Sequence, residues 1–480
     1  MDLMAEKGRP LLTERHKNMI LFVLVLGVMM SAIDSTIVLL ALPVMVQQLH
    51  SSIATMIWVI LIYILVVSVA STQLGKIGDI YGRSKMFNLG FAVFTVASFF
   101  CGLAPTDILL ILGRAVQAIG GALMQSNSGA IIADTFDRKR IGRAYGFTSL
   151  GWGFGSVLGI VLGGIITTFI GYRYIFYINV PIGIVAVIFG IRYLRDGVLS
   201  ERKIDLFGMG MLAASLLLVS YGAITISTVG LSYINFAMLI FGIALLYLFV
   251  KVDKKAASPT INFKAFGNRI LRNSMLASFF QSLGYIGVVF ALIMYLQGVR
   301  GISPFNAALL LVPGYIISSS LGPFMGRFSD KYGAKKIATA GICLMAAGVV
   351  VYLTMTATSY IYIVILGSVL AGTGSSMFYP ANNSAVMSNA ETHSYGSISG
   401  LLRLMGNLGT LGSFVMVITV ASLAVPRAVA FEVFIGTSKI VGGISKDFMV
   451  GFHAVMITSI VILAIAGILS WTRGKENRGG

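Results

Sequence analysis

Two stretches of the sequence repeat each other. Residues 75–85 read GKIGDIYGRSK and residues 326–336 read GRFSDKYGAKK, with glycine, aspartate, tyrosine and lysine at the same spacing. Each stretch follows a long apolar run of the chain. Self-similarity of this kind predicts that the chain consists of two related halves.

The composition predicts a membrane protein. Hydrophobic residues make up 57% of the chain and charged residues 11%, which is less than half of the roughly 25% charged residues of soluble domains. A span of the bilayer takes about 20 apolar residues, and fourteen runs of that kind occur. They cover approximately 19–43, 53–74, 84–104, 107–133, 141–169, 175–195, 206–228, 233–251, 272–297, 305–328, 335–356, 360–386, 394–424 and 447–471.

The runs are continuously apolar rather than alternating, so they predict helices and not the strands of a barrel. We therefore expect an all-α membrane protein with 14 transmembrane helices. The repeated stretches make helices nine to fourteen a second copy of helices one to six, with two helices inserted between the copies. The predicted domains are an N-terminal six-helix bundle at 1–200, the inserted pair and linker at 201–258, and a C-terminal six-helix bundle at 259–480.

The net charge of +18 is explained by membrane topology, and no nucleic-acid partner is expected. If the N-terminus is cytoplasmic, 28 of the 35 Lys and Arg residues fall on the cytoplasmic side, and five fall on the opposite side. The positive-inside rule requires this distribution. We expect a multi-pass protein of the cytoplasmic (inner) membrane, surrounded by lipid, with both termini cytoplasmic. The segment 425–446 is then external, either in the membrane interface or as an ordinary loop.

Several further positions resemble the major facilitator superfamily, specifically its fourteen-helix drug:proton antiporter branch. The resemblance covers nearly the whole chain, although Leu39 stands where the branch usually has Asn, and Ile160 stands at the proline position of its antiport motif. The matching residues are Asp34, Thr36, Val38, Ala41, Leu42 and Pro43 in the first helix, Arg114, Gln117, Gly120 and Gly121 in the fourth, and Arg173, Phe176, Asn179, Pro181 and Gly183 at the sixth.

Asp34 is the acidic residue that these spans place deep within a helix. An ionised carboxylate there costs about 2.5 to 3.5 kcal/mol on insertion scales, so such a group is functional by default. Burial disfavours the charged form of a carboxyl, so a carboxyl that faces a closing cavity can bind and release a proton, and we expect Asp34 to be the proton carrier in a central cavity. The alternative is a permanently paired structural ion. The resemblance brings helices one and four together and so implies an interaction of Asp34 with Arg114, which has its own structural alternative.

The same resemblance assigns a conformational latch to the repeated stretches. Its predicted members are Gly75, Asp79, Gly82 and Arg83 in the first copy and Asp330 and Lys335 in the second. A separate stripe of small residues in helix five, which lets another backbone approach closely, consists of Gly151, Gly155, Gly159 and Gly163.

Aromatic and amide side chains in the spans are the candidates for a substrate site, because such groups suit adaptable, mostly apolar pockets. Arg403, within helix thirteen, would repel cations if it faced the cavity. The candidate lining residues are Met30, Trp58, Tyr63, Gln117, Asn127, Trp152, Gln281, Tyr285, Tyr315, Tyr379, Asn382, Asn383, Arg403 and Asn407.

Two functions remain open at this stage. The first is proton-coupled export of small hydrophobic or drug-like molecules by alternating access, and the second is a dedicated transporter of one metabolite, lipid or peptide on the same scaffold. The four histidines are scattered and no phosphate-binding loop occurs, so we expect no enzyme, no cofactor and no metal site. The expected partners are a small-molecule substrate and protons, and the chain is expected to be monomeric.

Overall fold

The computed structural model describes residues 13–136, 138–194, 205–228, 230–256, 259, 261, 266–389, 395–424 and 444–474. Within these residues the fold consists of long helices and short turns. The long helices are α1 (Glu14–Gln48), α2 (Trp58–Tyr81), α3 (Arg83–Leu103), α4 (Asp107–Thr135), α5 (Arg138–Phe169), α6 (Asn179–Tyr193), α7 (Leu206–Thr228), α8 (Tyr233–Asp253), α9 (Arg269–Met294), α10 (Pro304–Tyr332), α11 (Ala334–Leu353), α12 (Tyr362–Ser388), α13 (Tyr395–Ala424) and α14 (Ile444–Thr472).

Thirteen of the described helices are long and apolar enough to cross a membrane, and the number is 14 when bent α2 is counted as one span. Its halves, Trp58–Ser71 and Gln73–Tyr81, meet at 51°. The predicted all-α class and helix count are therefore confirmed. Most of the predicted external segment 425–446, namely its part up to residue 443, lies outside the described residues.

The repeated stretches form the ends of α2 and α10 and the starts of the next helices. The apolar pattern ends the second helix at residue 74, but the structure continues α2 to Tyr81 and α10 to Tyr332. Gly82 and Gly333 then have φ values of 108° and 97°, a conformation that essentially only glycine adopts readily. Each glycine lets the chain leave one helix and enter the next without a loop.

The helix packing shows the same repeat. In the first half α1 packs on α5, and α4 packs on α2 and α3. In the second half α9 packs on α13, and α12 packs on α10 and α11. The inserted helices α7 and α8 pack on each other, and α7 also contacts α2 and α13. The structure thus contains two six-helix bundles with an inserted pair, while the domain boundaries at residues 200 and 258 remain proposals.

The glycine stripe of α5 faces α1. A Cβ atom added at Gly151 would lie 2.9 Å from Val25, and one at Gly155 would lie 2.7 Å from the backbone oxygen of Met29. A Cβ at Gly163 would meet the Ile37 backbone at 3.1 Å, and Gly159 meets the Ile33 backbone in the same way. The two helix backbones therefore approach more closely than side chains would allow.

We call the end of the molecule at which α1 begins and α14 ends the terminal face, and the opposite end the far face. Near the far face the bundles meet directly. Gln297 donates from Nε2 to the Leu40 carbonyl oxygen at 3.1 Å, and the Phe305 backbone N–H donates to Thr168 Oγ1 at 3.1 Å. Apolar side chains of both bundles form one buried cluster in this half, among them Ile37, Leu40, Ile293 and Leu296.

Two of the predicted lining side chains are partly exposed. Trp152 is 44% exposed and lies on α5 between Gly151, which faces α1, and Gly153, which faces Ser319 of α10. Tyr379 of α12, among polar groups of α9, is 39% exposed. These two side chains are therefore partly accessible, whereas the two bundles are in direct contact near the far face.

The helix junctions give the first prediction. Replacing Gly82 or Gly333 by Ala should reduce the free energy of unfolding by about 1 to 3 kcal/mol, because an L residue is strained at these angles. The measurement is thermal unfolding of the purified protein in detergent. Gly210, a helical glycine whose added Cβ would meet no atom within 4 Å, is the matched control, since Ala there should be neutral or slightly stabilising. Equal loss in all three variants would contradict the interpretation.

Candidate functional site: a buried carboxylate and its donors

Asp34 lies in the interior of the N-terminal bundle. Its side chain is fully buried in α1, and its described hydrogen-bond partners come from α4 and from the start of α6. The sequence led us to expect this carboxyl at the wall of a central cavity. The structure instead encloses it within one bundle, where helices of the same repeat supply its polar partners.

Arg114 is the countercharge. Its Nη1 lies 2.5 Å from Oδ2 of Asp34 and also donates to Oε1 of Gln117 at 2.5 Å. Its Nε donates to the Val59 carbonyl oxygen at 3.0 Å, and the guanidinium lies 4.3 Å from the centre of the Tyr63 ring. The expected contact between the first and fourth helices is therefore present. Each charge is buried together with groups that satisfy it.

The second carboxylate oxygen has amide partners. Gln117 donates from Nε2 to Oδ1 of Asp34 at 3.0 Å, and Asn179 donates from Nδ2 to the same oxygen at 3.2 Å. Gln117 Nε2 also donates to Ser98 Oγ at 2.7 Å. Asp34 thus accepts hydrogen bonds from three side chains, and charge-assisted hydrogen bonds such as the one from Arg114 are about twice as strong as neutral ones.

The sequence analysis missed the roles of Ser98 and Asn179. Asn179 was noted for the family resemblance but not as a partner of the carboxylate. Its signal is an amide within the apolar run that forms the sixth helix. Ser98 donates to the Phe94 carbonyl oxygen, as helical serines commonly do, so nothing in the sequence sets it apart.

Four of the predicted lining residues come together in the C-terminal bundle. Tyr379 of α12 interacts through its side chain with Gln281 and Ser282 of α9, and Tyr285 and Tyr315 lie close enough to interact electrostatically with it. This cluster of Gln281, Tyr285, Tyr315 and Tyr379 is called the tyrosine cluster below. It carries hydroxyl and amide groups on aromatic walls, and no member is charged at neutral pH.

Arg403 is an exposed cation at the junction of the two bundles. Its Nη1 donates to the Gln125 carbonyl oxygen of α4 at 3.0 Å, so it connects α13 to the opposite bundle. Asn383 is exposed one turn along α12 from Tyr379, and Asn407 is half-buried one turn along α13 from Arg403. Together with Trp152 and Tyr379, these residues are predicted lining positions that the structure leaves at least partly accessible.

Other predicted lining positions lie elsewhere. Met30 is fully buried in the apolar core of the N-terminal bundle, and Trp58 packs its ring against Tyr221 of inserted helix α7 at 6.1 Å. Asn127 fills the space beside Gly78 between α2 and α4. Asn382 accepts a hydrogen bond from Arg473 and donates to the Ser274 carbonyl oxygen. These side chains serve packing and internal hydrogen bonding, and Tyr63 and Gln117 belong to the charged site.

The two predicted latches differ. Arg83 lies 2.7 Å from Asp79 and 2.7 Å from Asp134 at the end of α4, so the first copy contains an ion triad with Gly75 and Gly82 beside it. In the second copy the Lys335 ammonium lies 4.4 Å from the Trp471 ring centre, and the Asp330 side chain lies outside the described part. Fully buried Arg473, which the sequence analysis missed, donates to the Ala334 carbonyl oxygen at 2.8 Å and to Ser274 and Asn382.

The buried pair gives the second prediction. Replacing Arg114 by Gln leaves the Asp34 carboxylate without its countercharge, and the unfolding free energy should fall by about 3 to 5 kcal/mol. Adding Asp34→Asn to Arg114→Gln should recover a large part of that loss, because two neutral amides can hydrogen-bond each other. Thermal unfolding of both single variants and the double variant forms the cycle. Additive losses would contradict direct pairing.

The comparisons with known proteins agree with this architecture. The sequence profile of the Major Facilitator Superfamily matches residues 24–207 and 202–414. A riboflavin transporter of Clostridioides difficile is 30% identical over 399 residues, which cover 82% of this chain and 86% of that protein. Multidrug resistance protein 3 of Bacillus subtilis is 30% identical over 399 residues, covering 81% of this chain and 77% of that protein.

A solved structure shows the same fold at lower identity. A bacterial homologue of the human lysosomal transporter Spinster, in an inward-facing and unoccupied conformation, superposes with a TM-score of 0.71 at 16% identity and covers 96% of this chain and 97% of that one. Profile, relatives and fold therefore agree: the chain belongs to the major facilitator superfamily and is a multi-pass membrane transporter rather than an enzyme.

Proposed function

We propose that this transporter exports small hydrophobic or drug-like molecules by proton-coupled antiport. The observation that carries the proposal is the enclosed pair of Asp34 and Arg114. Asp79 and Asp253, the other buried acidic groups in the described part of the chain, lie at helix ends, whereas Asp34 lies in the middle of a span. Carboxylates that are buried within a membrane span and paired with a countercharge are typical of proton relays.

The coupling follows from electrostatics. In the described state Asp34 pairs with Arg114 and accepts hydrogen bonds from two amides. A proton on Asp34 removes the charge that holds Arg114, and the α1–α4 connection weakens. We propose that this favours opening at the far face, where Ile37 and Leu40 of α1 are buried against the second bundle. Release of the proton toward the other side restores the pair and the far-face closure.

The terminal face is proposed to be cytoplasmic. Its support comes from the sequence: with a cytoplasmic N-terminus, 28 of the 35 Lys and Arg residues are predicted on the cytoplasmic side, as the positive-inside rule requires. We propose a bacterial cell membrane as the location. With this orientation, external protons reach Asp34 in the conformation whose far face is open, and substrate enters from the cytoplasm near Trp152 and Tyr379 in the described conformation. The Asp79, Arg83 and Asp134 triad is the proposed latch of the cytoplasmic side.

The tyrosine cluster and Arg403 are the proposed substrate contacts. Aromatic walls with a few hydroxyl and amide groups accommodate varied apolar molecules, and the exposed guanidinium of Arg403 disfavours cations. Relatives named as multidrug transporters support drug-like substrates. The relative named as a riboflavin transporter supports the second candidate, a dedicated transporter of one metabolite. Screening drugs and metabolites on one reconstituted preparation separates these two candidates.

The third prediction tests coupling. In liposomes with an imposed pH gradient, substrate should drive proton movement in the wild type, and Asp34→Asn should abolish uphill transport while energy-independent exchange partly persists. Asp107→Asn is the control, because Asp107 is an acid at the far-face start of α4 that hydrogen-bonds Ser51. Unchanged uphill transport in Asp34→Asn would refute the assignment.

The fourth prediction concerns substrate charge. Dicationic dyes should bind more weakly than monocationic dyes or an acidic drug, and Arg403→Gln should improve dication binding severalfold because it removes a repulsive charge near the opening. Dye fluorescence at low ionic strength measures the binding. Arg15→Gln, which changes an exposed cation at the start of α1, controls for overall charge. Tight dication binding to the wild type would exclude the proposed role.

A further inference from the structure

Asn179 lies beside Asp34, and one of its two polar side-chain atoms has no hydrogen-bond partner. It is the first residue of α6, separated by Ile178 from the helical turn Tyr174–Tyr177, and its side chain is fully buried. Its Nδ2 donates to Asp34 Oδ1 at 3.2 Å. Its Oδ1 is buried and has no hydrogen-bond partner. An unpaired buried carbonyl oxygen is costly, so its presence next to a functional carboxylate requires an explanation.

The neighbouring amide of Gln117 differs in this respect. Its Oε1 accepts from Arg114, and its Nε2 donates to Asp34 and to Ser98. Turning that amide over would break all three hydrogen bonds. The amide of Asn179 can turn over and lose only the bond to Asp34. It therefore can present either a donor or an acceptor to the same carboxyl oxygen.

We propose that Asn179 is a positioning residue that responds to the protonation state of Asp34. When Asp34 is ionised, Asn179 Nδ2 donates to Oδ1, as the structure shows. When a proton is bound at Oδ1, that O–H donates to Asn179 Oδ1 after the amide has turned over. The inference rests on the proposed function, in which Asp34 is the proton site, and it adds the group that detects the proton.

The position of Asn179 links this exchange to the far face. The preceding turn carries Phe176, which is fully buried in the apolar cluster shared by both bundles. The Phe176 ring lies 6.0 Å from the guanidinium of Arg114. We therefore expect a change at the Asn179 amide to act on the start of α6 and on the turn that carries Phe176.

Other groups also affect the charge of Asp34. Arg114 from α4 pairs with it directly, and Tyr63 from α2 and Cys101 from α3 interact with it electrostatically. Asn179 from α6 is uncharged. A substitution at Asn179 leaves these three side chains in place, so their influence is common to all Asn179 variants and cancels in a comparison.

The fifth prediction uses infrared difference spectroscopy of the full-length protein in lipid during a pH titration, which needs no transported substrate. The carboxylic-acid band of Asp34 is identified by its loss in Asp34→Asn. Asn179→Leu removes a donor to the carboxylate, and the titration midpoint should move to higher pH by about one unit, a tenfold change in proton affinity. The isosteric Asn179→Asp should move it further, because two carboxyls then share a proton.

A second signal separates a responding amide from a passive donor. In the wild type an asparagine carbonyl band should change together with the Asp34 band, and it should be absent from the Asn179→Leu spectrum. Asn88→Leu is the matched control: Asn88 Oδ1 is also buried and unpaired, at the contact of α3 with Gly190 of α6. This variant should leave the midpoint unchanged.

The outcomes are distinguishable. A wild type without any titrating Asp34 band would overturn the proposed proton coupling and the Asn179 role with it. An Asp34 band whose titration midpoint in Asn179→Leu and Asn179→Asp is the same as in the wild type would overturn only the role of Asn179. An equal shift in Asn88→Leu would mean that packing at α6, and not the amide, sets the midpoint. A shifted midpoint without the asparagine band would reduce Asn179 to a passive donor and contradict the proposal.

Discussion

A carboxylate in the middle of a membrane span must be paired, and this constraint organises the N-terminal bundle. Water cannot solvate Asp34 there, so the protein supplies Arg114, Gln117 and Asn179 as donors. Arg114 in turn needs acceptors, which are the Val59 carbonyl oxygen and Gln117. Four transmembrane helices, α1, α2, α4 and α6, are thereby joined by one charge. A change in the charge of Asp34 therefore alters the contacts of all four helices.

The two bundles share a scaffold but differ in their interiors. Gly82 and Gly333 make the same junction, and the helices pair in the same order. The first bundle encloses an ion pair, whereas the second places Gln281, Tyr285, Tyr315 and Tyr379 together. In the proposed cycle the first bundle binds the proton and the second contacts the substrate. Gln297 and Phe305 hold the two bundles together near the far face, and in the proposed cycle this contact couples proton binding to substrate transport.

The sequence predicted the scaffold well because its causes are local. Apolar run length determines the spans, and the repeated GKIGDIYGRSK and GRFSDKYGAKK stretches identify the two copies. The Asp34–Arg114 contact followed from the family resemblance. Side-chain direction was harder to predict, since Met30, Trp58 and Asn127 have suitable chemistry for a cavity but are turned toward packing partners. Arg473 looked like an ordinary basic terminus, although tertiary contacts with Ala334 and Asn382 bury it.

The central claim is that protonation of Asp34 opens the far face. Spin labels at Ile108 and Tyr362, both exposed near the far-face ends of the two bundles, report that opening by pulsed electron resonance in a variant with Ser at Cys101 and Cys343. The account predicts a longer label separation as the pH falls from neutral to mildly acidic, and a long separation at every pH in Asp34→Asn. A separation that does not depend on pH, or an Asp34→Asn variant that responds to pH like its parent, would contradict it.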